Sequence, residues 1–159
     1  MILGLIWAFG VIVVDQLSKY WILHWFLGEN AGVRIFDFFN IVRAWNTGVS
    51  FSMLNNYGST GVWILTGLAL VIVAMLLYWL KGEKNEVTQV ALGLIMGGAL
   101  GNVIDRLRFG AVFDFLDFHI NGSHWPAFNV ADSCICIGAT IIVLQAVVAQ
   151  FNGKENKNA

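Results

Sequence analysis

Asp15, Asp105, Asp114 and Asp132 stand inside or at the edges of the longest apolar runs of this chain. An ionisable group at the centre of a bilayer-spanning helix costs at least about 2.5–3.5 kcal/mol, so acids kept at such places point to function. Their neighbours are informative. Lys19 follows Asp15 by four residues, acid first, the favourable order for a helical ion pair. The two are read as neutralising each other while packing against the site. Asn102 and Asp105 are three apart, as are Asn129 and Asp132, so each pair shares one helix face. If both helices end at the same interface, the two faces can point at one another. Arg106 adjoins Asp105 in sequence, and adjacent residues do not face each other on a helix. It is expected to reach another acid or a backbone carbonyl.

Two carboxylates brought close in a partly dry site cannot easily both ionise, and the pair titrates as a unit. The ionised member can take a proton from attacking water, while the protonated member polarises a peptide carbonyl. That is aspartic-peptidase chemistry. Intramembrane acids also carry cations or relay protons, so a small carrier using Asp15, Asp105 and Asp132 is a second reading. A purely structural membrane subunit is a third. Spacing does not choose among Asp105, Asp114 and Asp117 as the partner of Asp132.

Other chemistries find less support. His24, His119 and His124 lack a zinc-binding pattern, and no His-Glu-x-x-His occurs. They are read as interfacial side chains, and no metal or cofactor is expected. Gly48-Val-Ser50-Phe lacks the trailing glycine of a serine-nucleophile elbow. Cys134 and Cys136 point to different faces of a helix and are read as small apolar residues.

The elements that must hold these acids follow from composition. Of 159 residues, 58% are hydrophobic and 12% charged, about half the ~25% charge of a soluble domain. Mean hydropathy is +0.72. A soluble globule of this size needs more polar surface. Disorder is excluded by apolar content, and a disulfide scaffold by the presence of two cysteines. Nine basic and ten acidic residues leave no basic excess for nucleic acid. What remains is an integral membrane protein of one domain.

Four runs approach the ~20 apolar residues needed to cross a bilayer: 2–26, 61–80, 87–107 and 128–151. Trp21, Trp25, Trp63, Trp79 and Trp125 lie near their ends, as in an interfacial aromatic belt. Gly93, Gly97 and Gly101 recur every fourth residue, which lets helix backbones approach closely. The first run lacks a basic n-region and a small-x-small cleavage site and is read as a retained span. The loop 27–60 is rich in aromatic and β-branched residues, including Val33, Ile35, Phe39, Ile41 and Trp45, and predicts short strands. So does Phe109–Ile120, ahead of the turn signal Asn121-Gly122-Ser123. The fold class is thus an all-α membrane protein with four transmembrane helices and small β-rich loops. Basic residues nearly balance across the loops; with Arg106 and Arg108 set aside, the loop 81–86 and the tail 152–159 fall inside. The polar tail is expected to fray.

Five stretches in order, Asp15-Gln-Leu-Ser-Lys19, Asn46-Thr-Gly-Val-Ser-Phe51, Gly101-Asn-Val-Ile-Asp-Arg106, Phe113-Asp-Phe115 and Phe128-Asn-Val-Ala-Asp132, resemble the lipoprotein signal peptidase (signal peptidase II) family. The resemblance covers nearly the whole chain. It implies a bacterial membrane aspartic endopeptidase that removes signal peptides from prolipoproteins, cutting before a diacylglyceryl-modified cysteine. It implies Asp114 and Asp132 as the catalytic pair. Asn46, Gly48, Asn102, Asp105, Arg106, Asn129, Asp15 and Lys19 are then binding or supporting residues. It implies cytoplasmic termini, with the loops 27–60 and 109–127 facing outward, and a monomer whose partners are the lipidated substrate and membrane lipids. On this assignment Asp114 sits on an irregular stretch and Asp117 is a rim carboxylate. Two departures concern substrate packing: Ser50 stands where the family commonly has alanine, and Phe113 where it has a small aliphatic residue.

Overall fold

The computed structural model describes residues 1–48 and 58–158. Helix α1 (Ile2–Trp21) ends in a π-helical turn, Ile22–Phe26. Strands β1 (Gly32–Phe36) and β2 (Phe39–Asn46) follow. Helices α2 (Gly58–Gly82) and α3 (Glu86–Phe109) then precede β3 (Val112–Ile120), the short β4 (Ser123–His124) and α4 (Val130–Asn158). Among the described residues, four helices are long and apolar enough to cross a membrane: Ile2–Phe26, Thr60–Gly82, Glu86–Phe109 and Val130–Phe151. The strands form one antiparallel sheet in chain order.

Helix ends follow local chemistry. Asn85 caps α3, its side chain accepting from the Thr88 N–H at 3.1 Å, and Gly110 stops it in the left-handed region at φ 71°. These caps place the helix a residue or two beyond the apolar run at each end. The fourth helix starts at Val130 rather than Phe128 because Phe128 is bridged to Leu116 of β3. It continues to Asn158, past the boundary expected at Phe151. The Asn121-Gly122 turn adopts positive φ at both residues, 49° and 81°, which suits a two-residue hairpin.

Helix α3 is the centre of the bundle. It buries 67% of its apolar stretch, against 28% for α1, 22% for α2 and 6% for α4. Its glycines explain why. A Cβ at Gly97 would lie 2.6 Å from the Ala8 carbonyl oxygen, and one at Gly93 2.4 Å from that of Gly4. On the other side, a Cβ at Gly98 would lie 2.4 Å from the Ala131 carbonyl oxygen. The glycine stripe thus admits α1 and α4 into backbone contact, as its four-residue spacing implies. Ile6, Phe9, Tyr78 and Val143, on the outer faces of the other helices, are exposed. A belt this apolar is the surface a bilayer covers.

A buried ion cluster ties α1 to α3. Lys19 Nζ lies 2.9 Å from Asp15 and 2.7 Å from Asp105. The i,i+4 pair forms as its spacing implies, and a second acid joins it. Gln16 donates to Asp105 at 2.9 Å, and Asp15 accepts from the Ala131 N–H at 2.9 Å, at the start of α4.

Two outcomes test this packing. Gly97→Leu is expected to destabilise the detergent-solubilised protein by about 1–3 kcal/mol through overpacking, whereas Gly67→Ala, with open space around Gly67, leaves the unfolding midpoint in place. Lys19→Met strands two buried carboxylates and is expected to cost about 3–5 kcal/mol. Thermal unfolding reads both. An unchanged midpoint in either Gly97→Leu or Lys19→Met contradicts the packing described.

Candidate active site

Strand β3 and the first turn of α4 bring Asp114 and Asp132 to one cavity of about 590 Å³. In β3, alternation sends successive side chains to opposite faces. Phe113 and Phe115 enter the core with Ile22 and Leu27, and Val112 and Asp114 line the cavity. Asp114 therefore stands on a regular strand, as the composition of Phe109–Ile120 implies, and not on the irregular stretch that the resemblance-based assignment gave it. Its backbone is held by pairing of β3 with β2, where Ala44 lies opposite Asp114.

Asp132 is held by a reciprocal cap. Asn129 Oδ1 accepts from the Asp132 N–H at 2.9 Å, and Asp132 Oδ2 accepts from the Asn129 N–H at 3.2 Å. This is a capping box with Asn and Asp in the usual Ser/Thr and Glu/Gln places. The three-residue spacing that marks a shared helix face is thus also the spacing of a cap.

The two carboxylates share a bridge of amides. Asn129 Nδ2 donates to Asp114 Oδ1 at 2.7 Å, and Asn46 Nδ2 donates to Asp114 Oδ2 at 3.2 Å. Asn102 Nδ2 donates to Asp132 Oδ1 at 2.8 Å. Asn102 Oδ1 accepts from Asn129 Nδ2 and from Lys19 Nζ, each at 3.2 Å. The Asn102 and Asn129 faces do meet. Gly48, also on the cavity wall, donates its N–H to Asn46 Oδ1 at 3.0 Å.

Asp114 is 2% exposed. Burial, reinforced by the negative charge of Asp132, pushes its carboxyl up to about 7, against the opposing pull of the Asn46 and Asn129 amides and of Lys19. A carboxyl poised there can hold a proton at neutral pH and release it within a reaction.

The remaining expected residues divide. Asp15 and Asp105 are 0% and 1% exposed and face Lys19, one layer behind the cavity. Asp105 also accepts from the Phe113 N–H at 3.2 Å, anchoring the start of β3. Arg106 lines the cavity, but among the described residues its Nε is buried without a hydrogen-bond partner, so it does not make the contact expected of it. Among the described residues it forms no ion pair with Asp105, Asp114 or Asp132. Asp117 is not on a rim. It is buried in β3, accepting from Asn40 at 2.8 Å and pairing with His124 at 2.8 Å. The fold of β4 back onto β3 creates that enclosure. Ser50 lies outside the described residues. Phe113 is 1% exposed in the core, so this departure bears on packing beneath β3 rather than on the cavity wall.

Sequence reasoning missed Gln16 and the wall formed by Trp125–Phe128, Ser133 and Cys136. Gln16 carried a signal, a polar side chain between Asp15 and Lys19 in an apolar run. The wall residues carried none, since only the bridge to β3 brings that segment to the cavity.

Comparison with known proteins identifies the family. The family described as signal peptidase (SPase) II matches residues 7–148. The lipoprotein signal peptidase of Ralstonia nicotianae is 49% identical over 145 residues, covering 89% of this chain and 80% of that protein. That of Shewanella pealeana is 43% identical, covering 98% of this chain and 92% of that protein. A bacterial membrane enzyme solved by the in meso method superposes with a TM-score of 0.81 at 30% identity, over 94% of this chain and 90% of that one. A second such structure gives 0.74 at 32% identity, over 90% and 91%. With most of its length matched, and the matched stretch containing both cavity aspartates, this chain belongs to the signal peptidase II family.

Proposed function

We propose that this protein is a membrane-embedded aspartic endopeptidase that removes the signal peptide from prolipoproteins, cutting before the diacylglyceryl-modified cysteine. The observation that carries the reading is one cavity lined by Asp114 and Asp132, with Asn129 hydrogen-bonded to both. The names of its relatives, lipoprotein signal peptidases, supply the substrate class. The protein sits in the bacterial cell membrane with both termini cytoplasmic. The segments 27–60 and 109–127 face outward, and the substrate enters sideways with its acyl chains in lipid. It works as a monomer without metal or cofactor.

Water lies between the carboxyls. Asp132 takes a proton from the water as its oxygen attacks the scissile carbonyl, and Asp114 gives its proton to the carbonyl oxygen. A gem-diol results. Asp132 then protonates the leaving amine, the C–N bond breaks, and the diol hydroxyl returns a proton to Asp114. Asn46 and Asn129 keep Asp114 aimed at the cavity throughout. The carrier reading requires accessible Asp15 and Asp105; their burial against Lys19 favours the peptidase.

Purified protein in detergent, mixed with a diacylglyceryl-modified precursor, tests the proposal by electrophoretic shift. Asp114→Asn and Asp132→Asn are each expected to slow cleavage by roughly 10²–10⁴-fold or more; wild-type speed in either variant rejects the dyad. The pH profile of kcat/KM is expected to fall on its basic side near pH 7, as Asp114 loses the proton it must donate. A plateau continuing to pH 9 excludes Asp114 as the acid. EDTA is expected to leave the rate unchanged, and loss of activity that added metal restores contradicts the metal-free mechanism.

A further inference from the structure

Asn102 has a choice that its neighbours settle. A side-chain amide can turn over, exchanging its carbonyl and its NH₂. Here one end of Asn102 faces Lys19 Nζ and Asn129 Nδ2, both donors, at 3.2 Å, and the other faces Asp132 Oδ1 at 2.8 Å. An ammonium group has three donors and no acceptor. Turning Asn102 over would set its NH₂ against the Lys19 ammonium and the Asn129 amide, and its carbonyl against a carboxylate. Every contact would then be donor to donor or acceptor to acceptor. Asn129 has no freedom to compensate, because its carbonyl is committed to the Asp132 N–H at 2.9 Å. Lys19 is itself fixed, 5% exposed and clasped by Asp15 and Asp105.

We propose that Lys19 is a positioning residue for the dyad: it locks the amide of Asn102 so that Asn102 always presents N–H, never its carbonyl, to Asp132. The lock favours the carboxylate form of Asp132. A carbonyl facing Asp132 bonds only to a protonated carboxyl. A donor facing Asp132 suits its carboxylate, the form needed to deprotonate water; Asp114 also faces donors, from Asn46 and Asn129, but its burial beside the Asp132 charge favours its neutral form. The ion cluster therefore does more than neutralise itself; through one amide it sets the division of roles between two acids.

This inference rests on the dyad reading. If that reading fails, Asp114→Asn or Asp132→Asn still cuts; if only the inference fails, those variants are inactive while Lys19 and Asn102 act independently. Removing Lys19 alone strands two acids, so the test is made in an Asp105→Asn background. The Asp105→Asn/Lys19→Met double variant carries the same formal cluster charge as the wild type, one acid in place of two acids and a base; relative to Asp105→Asn alone it loses one positive charge, a loss common to the arms with and without Asn102. Relative to Asp105→Asn, adding Lys19→Met is expected to lower kcat about tenfold or more with KM little changed. Adding it to Asp105→Asn/Asn102→Leu is expected to lower kcat by less than about twofold, since the group it acts through is already gone. An equal loss with and without Asn102 overturns the proposal, as does an unchanged kcat in the first comparison. A second measurement needs no change at Lys19. The side-chain ¹⁵N resonance of Asn102 is expected to move on Asp132→Asn, and an Asn102 signal indifferent to that change also overturns it.

Discussion

The structure depends on one ammonium group held between two buried carboxylates. Lys19 reaches Asp15 on its own helix and Asp105 on α3, with all three side chains nearly sealed from solvent. Breaking such a cluster by removing one partner leaves an unpaired charge in a dry interior, costing several kcal/mol. Its geometry therefore governs how α1 meets α3. Gly101 is part of the same constraint, since a Cβ there would lie 2.7 Å from Asp15 Oδ2. The other oxygen of Asp15 accepts from the Ala131 N–H, close to the positive end of the α4 dipole, where an anion is favoured. One carboxylate thus fixes the spacing of two helices and the starting point of a third.

From that anchor the site assembles along two routes. The helical route runs from Lys19 through Asn102 to Asp132, whose backbone is fixed by the reciprocal cap with Asn129. The strand route runs from Asp105, which holds the Phe113 N–H, into β3, where alternation aims Asp114 into the cavity and its two phenylalanine neighbours into the core. The routes meet at Asn129, which touches both aspartates. Structural and proposed chemical roles overlap here: the residue that starts a helix also bridges the two cavity aspartates. Lipid outside and polar groups inside divide the labour, because a bundle with an apolar exterior tolerates buried polar groups chiefly where partners are supplied, as they are for Lys19, Asn102 and Asn129.

Much of this was legible in the residues. The four apolar runs, the glycine stripe and the paired polar positions are periodic features that survive without knowledge of the fold, and the four helices and backbone contacts follow them. The strands were legible too, because β-branched and aromatic residues cluster around a clear Asn-Gly turn. What could not be read was long-range. Spacing alone did not separate Asp105, Asp114 and Asp117, since their different fates depend on Lys19, the cavity and His124, each contributed by another segment. The resemblance made that choice, and the geometry around Asp114 is in keeping with it. Arg106 and Asp117 were misplaced for the same reason: a local rule predicts which direction a side chain leaves its helix or strand, but not what waits there.

The proposed chemistry requires two carboxyls acting as a coupled pair, one of them Asp114 holding its proton to near neutral pH. Infrared titration of the protein labelled with ¹³C-aspartate, using Asp114→Asn to assign the band, observes this without substrate or turnover. The protonated-carboxyl band of Asp114 should persist until about pH 7 and vanish at lower pH in Asp132→Asn, where the opposing charge is gone. An Asp114 already ionised at pH 5, or one whose titration ignores Asp132→Asn, would contradict the account.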